Sequence, residues 1–155
     1  MKYVFDNSPL SALLRNYYPK RFPTLWSNFN QMILDDQITS TREAYREMID
    51  LGGDFSDWAK DHEKIFVTPN AEEALFVAEI YKVTHFQQNI ERQKFFKGGK
   101  NADPFLIARA KILDIPIVTM ERFKPNSVKI PNICRHFGIE CFHLEDFMEA
   151  ENWQF

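Results

Sequence analysis

Short apolar runs alternate along the chain with longer stretches of helical periodicity. Tyr3-Val4-Phe5 is an apolar run that stops at Asp6, and Asn7-Ser8-Pro9 reads as a helix start, with Ser8 as N-cap and Pro9 as the first helical residue. Leu10, Leu13 and Leu14 repeat at helical spacing. Pro19 and Pro23 interrupt, and Leu25, Trp26, Phe29, Met32 and Ile33 predict a second amphipathic helix. Thr39-Ser40-Thr41 reads as a cap cluster opening a third helix, with Ala44, Tyr45, Met48, Ile49 and Leu51 inward and Gly52-Gly53 as its end.

Further on, 55–62 reads as a short helix around Trp58, and 65–68 as a strand. Pro69-Asn70 then leads into a long helix over 71–95, broken by Gly98-Gly99. Asp103-Pro104 opens a helix that is apolar nearly all round, as a buried helix is. Residues 116–119 are the clearest buried strand. A helix over 131–137 ended by Gly138, a strand over 139–143 and a helix over 144–148 complete the order. Strands separated by helices predict an α/β fold with a central parallel sheet of about four strands flanked by helices, in one domain spanning 1–155.

Composition narrows the class. Of 155 residues, 45% are apolar and 15% aromatic, which is enough for a core and excludes a disordered chain. Fifteen Phe predict a core built with rings. No apolar run approaches the roughly 20 residues that span a bilayer. The N-terminus lacks a signal peptide's apolar region, and two cysteines make no disulfide framework, so the expected compartment is the cytoplasm.

The element order draws attention to the acids. In open α/β sheets, ligands bind beyond the carboxyl ends of the strands. Asp6 ends the first strand, Glu121 lies just past the clearest one, and Asp103 opens the most buried helix. Three carboxylates meeting at one edge repel one another unless a cation lies between them, and a hard divalent ion, Mg²⁺ or Mn²⁺, is the natural counter-charge for oxygen ligands. Each acid also has a structural reading: Asp103 as a helix cap, Asp6 as a turn acceptor, Glu121 paired with Arg122 on the surface. A fourth acid is expected from the third helix. On a wheel of about 100° per residue, Glu47 lies near the edge of the buried face and is preferred, while Glu43 points outward as an ordinary first-turn acid.

Taken in order, Tyr3–Ser8, Ala102–Ala108, Ile117–Glu121, Lys129–Cys134 and Gly138–Cys141 resemble the PIN-domain nucleases, and within them a PIN-like family described only as a domain of unknown function. The resemblance covers nearly the whole chain. It implies that Asp6, Glu47, Asp103 and Glu121 are the catalytic, metal-binding quartet, with Ser8 and Thr119 hydrogen-bonding around them. It further implies a Mg²⁺- or Mn²⁺-dependent endoribonuclease, commonly the toxin of a type II toxin–antitoxin pair, with an antitoxin as partner and a homodimer as a frequent state. Many PIN domains have Asp where this chain has Glu121, and the segment 22–36 is longer than in compact PIN toxins. These departures motivate an alternative: a PIN-like RNA- or protein-binding module with a weak site.

The net charge of −3 provides no global field for nucleic acid, so an RNA function needs a local patch. Arg92, Lys94, Lys97 and Lys100, interleaved with Phe95 and Phe96, read as that patch just before Asp103; a solvated helix end is the structural reading. Cys134, His136, Cys141 and His143 have metal-ligand composition, but residues two apart on a helix diverge by about 200°. The cysteines are therefore expected to be structural. A haloacid-dehalogenase-like phosphatase would require a second Asp where Ser8 stands, and there is no P-loop or G-x-G-x-x-G.

Overall fold

The computed structural model describes residues 1–90 and 101–155. Five parallel strands form one sheet in the order β3-β2-β1-β4-β5. They are β1 (Tyr3–Phe5), β2 (Ile38–Thr41), β3 (Phe66–Val67), β4 (Ile117–Val118) and β5 (Cys141–Phe142). The register pairs Val4 with Thr39 on one side of β1 and with Ile117 on the other. Helices fill the crossovers. Those after β1 are α1 (Asn7–Asn16) and α2 (Pro23–Leu34), and those after β2 are α3 (Arg42–Leu51) and α4 (Gly53–Asp61). After β3 come α5 (Ala71–Lys82) and α6 (Asp103–Leu113); α7 (Ile130–Phe137) joins β4 to β5, and α8 (Leu144–Ala150) follows.

The chain winds from β1 out to β3, then returns to add β4 and β5 on the other side of β1. The boundary between β1 and β4 is thus the topological switch point, the place where open α/β sheets bind their ligands.

The core is rich in rings, as fifteen Phe lead one to expect. Tyr3 and Phe5, on one face by strand alternation, meet Phe147 edge-on at 4.9 and 5.0 Å between centroids. Phe29 from α2 closes on Phe5 at 5.4 Å. Among the described residues no helix is long and apolar enough to cross a membrane.

Several boundaries differ from the sequence expectation. The residues read as a cap cluster, Thr39-Ser40-Thr41, belong to β2, which makes the sheet five-stranded. All four β2 residues are buried, and the three hydroxyl-bearing ones find partners inside: Ser40 Oγ donates to Phe5 O at 2.7 Å, and Thr39 Oγ1 accepts from Arg109. Only Thr41 caps α3, accepting from Ala44 N. The long helix expected over 71–95 is interrupted: α5 stops at Lys82, a 3-10 turn follows over Thr84–Gln87 and residues 88–90 are helical again, while 91–95 and the Gly98-Gly99 break lie outside the described residues. The N-cap of α1 is Asp6 rather than Ser8, and Asp103 is the first residue of α6 rather than its cap. A competing acceptor two residues earlier leaves the Ser8 hydroxyl to bond elsewhere. Gly52 and Gly138 end α3 and α7 at φ +71° and +68°, a region that favours glycine.

Candidate carboxylate site

Asp6 leaves β1 at the switch point and is only 4% exposed. Its Oδ1 accepts from Asn7 N at 2.7 Å; its Oδ2 accepts from Ser8 Oγ at 2.8 Å and from Thr119 Oγ1 at 2.9 Å. Both hydroxyls are committed as donors because each also receives a backbone N–H: Met120 N donates to Ser8 Oγ at 2.9 Å and Glu121 N to Thr119 Oγ1 at 3.1 Å. The segment leaving β4 is thereby tied to the start of α1, and the hydroxyl protons are aimed at one carboxylate oxygen. Among the described residues, the hydrogen-bond donors to Asp6 are all neutral.

Glu47 enters from α3, half-buried. Its Oε2 accepts from Asn7 Nδ2 at 2.6 Å and its Oε1 from Ala102 N at 3.3 Å, the residue before Asp103. Asp103, 1% exposed, accepts from Asn89 Nδ2 at 3.3 Å. Asn89 also holds Val128 O at 3.0 Å and takes a bond from Asn101, which in turn donates to Tyr81 Oη. Burial, together with the Asp103 charge, pushes the Tyr81 phenol up to about 12. Glu121 has a structural role, since its Oε2 accepts from Ile130 N at 3.0 Å and caps α7, where Lys129 provides no side-chain cap. The Cys134 thiol is held well above its ordinary range by its neighbour Cys141 first, then by burial and the charges of Asp103 and Glu121.

Three of the four acids expected from sequence are linked by hydrogen bonds through intermediary residues, and Asp103 directly follows the Ala102 N–H that Glu47 accepts. Asp6 reaches Glu121 through Thr119 and Glu47 through Asn7, and Glu47 reaches the start of α6. Glu43 differs from expectation. It is half-buried rather than outward, with Oε2 enclosed and without a hydrogen-bond partner among the described residues, because tertiary neighbours absent from a helical wheel cover it. Arg92, Lys94, Lys97 and Lys100 lie outside the described residues.

Sequence reasoning missed Asn7, Asn89, Asn101 and Tyr81, since amides and phenols have no spacing signature. Asn7 has a special position. Glu47, an acceptor only, fixes its amide orientation, and its buried Oδ1 then has no hydrogen-bond partner among the described residues. Enclosed oxygens of this kind, beside carboxylates, suit a hard divalent cation in donor type. Among the described residues, however, no three His, Cys, Asp or Glu side chains are arranged to hold one ion. The acids are neighbours joined by hydrogen bonds rather than a closed shell. The Cys/His pattern likewise does not converge: Cys134 is buried, His136 is exposed against Phe86, and both cysteines are free.

Against known families, the one described as Domain of unknown function (DUF4411) matches residues 3–155. The chain belongs to the DUF4411 family. Among solved structures, this DUF4411 chain is similar to a chain of VapBC-1 from nontypeable Haemophilus influenzae, with 14% identity and a TM-score of 0.45, over 92% of this chain and 98% of that one. A search of curated proteins finds no match. The DUF4411 match spans every element that contributes to the carboxylate region, from β1 to α8.

Proposed function

We propose that the protein is a metal-dependent endoribonuclease of the PIN type, cleaving RNA phosphodiesters at the carboxyl edge of its sheet. One observation carries the reading: Asp6 is buried at the switch point, held by three neutral donors, with Glu47 tied to it through Asn7. Burying a charge among neutral donors is costly, and folds retain such costs where function demands them. Through the sequence resemblance, Asp6, Glu47, Asp103 and Glu121 are the residues that would hold Mg²⁺ or Mn²⁺, with Asn7 Oδ1 beside them; an ion would have to draw them closer than they stand among the described residues. The chemistry such an ion supplies is polarisation of a phosphodiester oxygen and acidification of water.

The protein's own residues contribute orientation. Ser8 and Thr119 stop the Asp6 carboxylate from rotating; Asn7 and the Ala102 N–H do the same for Glu47, and Asn89 for Asp103. A toxin–antitoxin role and an antitoxin partner belong to this reading through the sequence resemblance, as does a homodimer. A second reading, an RNA- or protein-binding module with a weak site, is favoured by one observation: Glu121 is engaged as the cap of α7.

The test is incubation of the purified chain with labelled single-stranded and structured RNA, with Mn²⁺ or Mg²⁺, then with EDTA, beside Asp6→Asn. Cleavage that chelator and Asp6→Asn both abolish is the expected result. RNA binding without cleavage by folded, metal-loaded protein selects the binding module.

A further inference from the structure

A second cationic segment follows Glu121 in the chain. Between Arg122 and Ile139 the chain has four Arg or Lys residues, Arg122, Lys124, Lys129 and Arg135, and no acid, although its net charge is −3. The first part, 122–129, is the loop from β4 to α7, directly after Glu121. At its tip Phe123 is 47% exposed, and the Arg135 guanidinium lies 4.6 Å from its ring centroid. Arg122, Lys124 and Arg135 are exposed beside it.

An exposed Phe alone means little. Here the loop is built to present it. Asn132, itself buried, clamps the Lys124 backbone on both sides: its Nδ2 donates to Lys124 O at 2.6 Å, and its Oδ1 accepts from Lys124 N at 3.3 Å. Ser127 N donates to Lys124 O at 3.0 Å, and Lys129 N to Ser127 Oγ at 3.2 Å, while Asn126 takes the left-handed conformation at φ +62°. Glu121 secures the far end through Ile130 N and the near end through Thr119. A loop fixed at both ends gives up little entropy when it binds.

We propose that this loop is a platform for single-stranded RNA, with Phe123 stacking on a base by the ring face that Arg135 does not cover, and Arg122, Lys124 and Arg135 contacting phosphates. A flat ring among separated cations is the chemistry that takes an unpaired strand without reading its sequence. The loop directly follows Glu121, whose N–H is tied to Thr119, so it is anchored at the carboxyl edge. The proposal rests on the ribonuclease reading for the identity of its ligand.

The experiment is fluorescence anisotropy with a short labelled oligouridylate in EDTA, so that binding is read without cleavage. Phe123→Ala weakens binding roughly 10- to 100-fold, Phe123→Leu stays weak and Phe123→Trp restores it. Arg122→Gln and Arg135→Gln each lower the slope of log affinity against log salt by about 0.7. Circular dichroism melts of each variant match the parent, since the replaced side chains are exposed. Unchanged affinity in Phe123→Ala, full retention in Phe123→Leu, or displacement by polyglutamate as efficient as by RNA overturns the platform. Weak binding by Phe123→Ala in a protein that cleaves no RNA leaves the platform standing and removes the ribonuclease reading. Cleavage lost in Asp6→Asn with normal binding by Phe123→Ala does the reverse.

Discussion

Asp6 and Glu73 are both buried carboxylates at the start of a helix that follows a strand, yet the fold treats them differently. Glu73, 1% exposed, pairs with Arg109 Nη1 at 2.9 Å and closes a capping box with Asn70. Two more guanidinium N–H groups go to Thr39 Oγ1 at 2.8 Å and Met1 Sδ at 3.2 Å. That set is electrically neutral and self-contained. Among the described residues, Asp6 has only hydroxyls and one backbone N–H as donors, and its neighbour Asn7 connects it to another acid. The contrast teaches that this chain can bring a cation to a buried acid when stability alone is at stake. At the switch point it brings neutral donors, which hold an acid in place without neutralising it.

The comparison breaks first at Asp6. If its charge serves catalysis, Asp6→Asn removes several kcal/mol of transition-state stabilisation, a loss on the order of 100-fold or more at about 1.4 kcal/mol per tenfold. By urea unfolding the same variant should lose only about 1–3 kcal/mol, since Asn keeps one acceptor oxygen but sets an NH2 against a donor that Asp6 accepted from. A large loss of stability with cleavage intact would make Asp6 a structural acid like Glu73.

Arg109→Met is the mirror experiment. It strands Glu73 as a buried lone charge and should cost about 3–5 kcal/mol by urea unfolding, most of it recovered when Glu73→Met is added. Specific cleavage per folded molecule should stay at the parent level, whereas a drop would tie the ion pair to the site.

Glu121 tests where the boundary between the two kinds of acid lies. As a cap of α7 its loss in Glu121→Ala should cost about 1 kcal/mol, with Glu121→Gln restoring stability because an amide oxygen still accepts from Ile130 N. Restored stability without cleavage in Glu121→Gln would instead group it with Asp6.

The smallest effect is optical. Tyr81 should ionise at about 12 in an absorbance titration, and at a lower pH in Asp103→Asn, while burial keeps it above the ordinary 10. The sign follows from linkage: a folded value above the unfolded one gives stability that is complete below pH 10 and is lost as pH rises toward 12. A Tyr81 titration indifferent to Asp103 would separate the phenol–amide chain from the acids.

Much of this region was legible in the chain itself, for identifiable reasons. Asp6, Asp103 and Glu121 follow from the rule that parallel strands of an α/β fold end at one edge, and Glu47 follows from the periodicity of α3. What stayed hidden depends on contacts distant in sequence. β2 reads as a cap because its Thr and Ser look like turn residues until Phe5 O and Arg109 are known to be their partners. Arg109 and Glu73 are 36 residues apart and carry no motif. Glu43 reads as solvated on a wheel, which has no tertiary neighbours. Asn7 reads only as part of a helix start, although its backbone N–H and its side-chain amide join two acids.

The bond from Thr119 to Asp6 spans 113 residues. During synthesis at roughly 5–20 residues per second, the ribosome makes Asp6 on the order of ten seconds before it makes the hydroxyl that orients it. β4 must then slide in beside β1 before the carboxylate acquires its fixed direction. Truncated or half-synthesised chains therefore carry the acid without its cradle, and the site matures only with the last central strand.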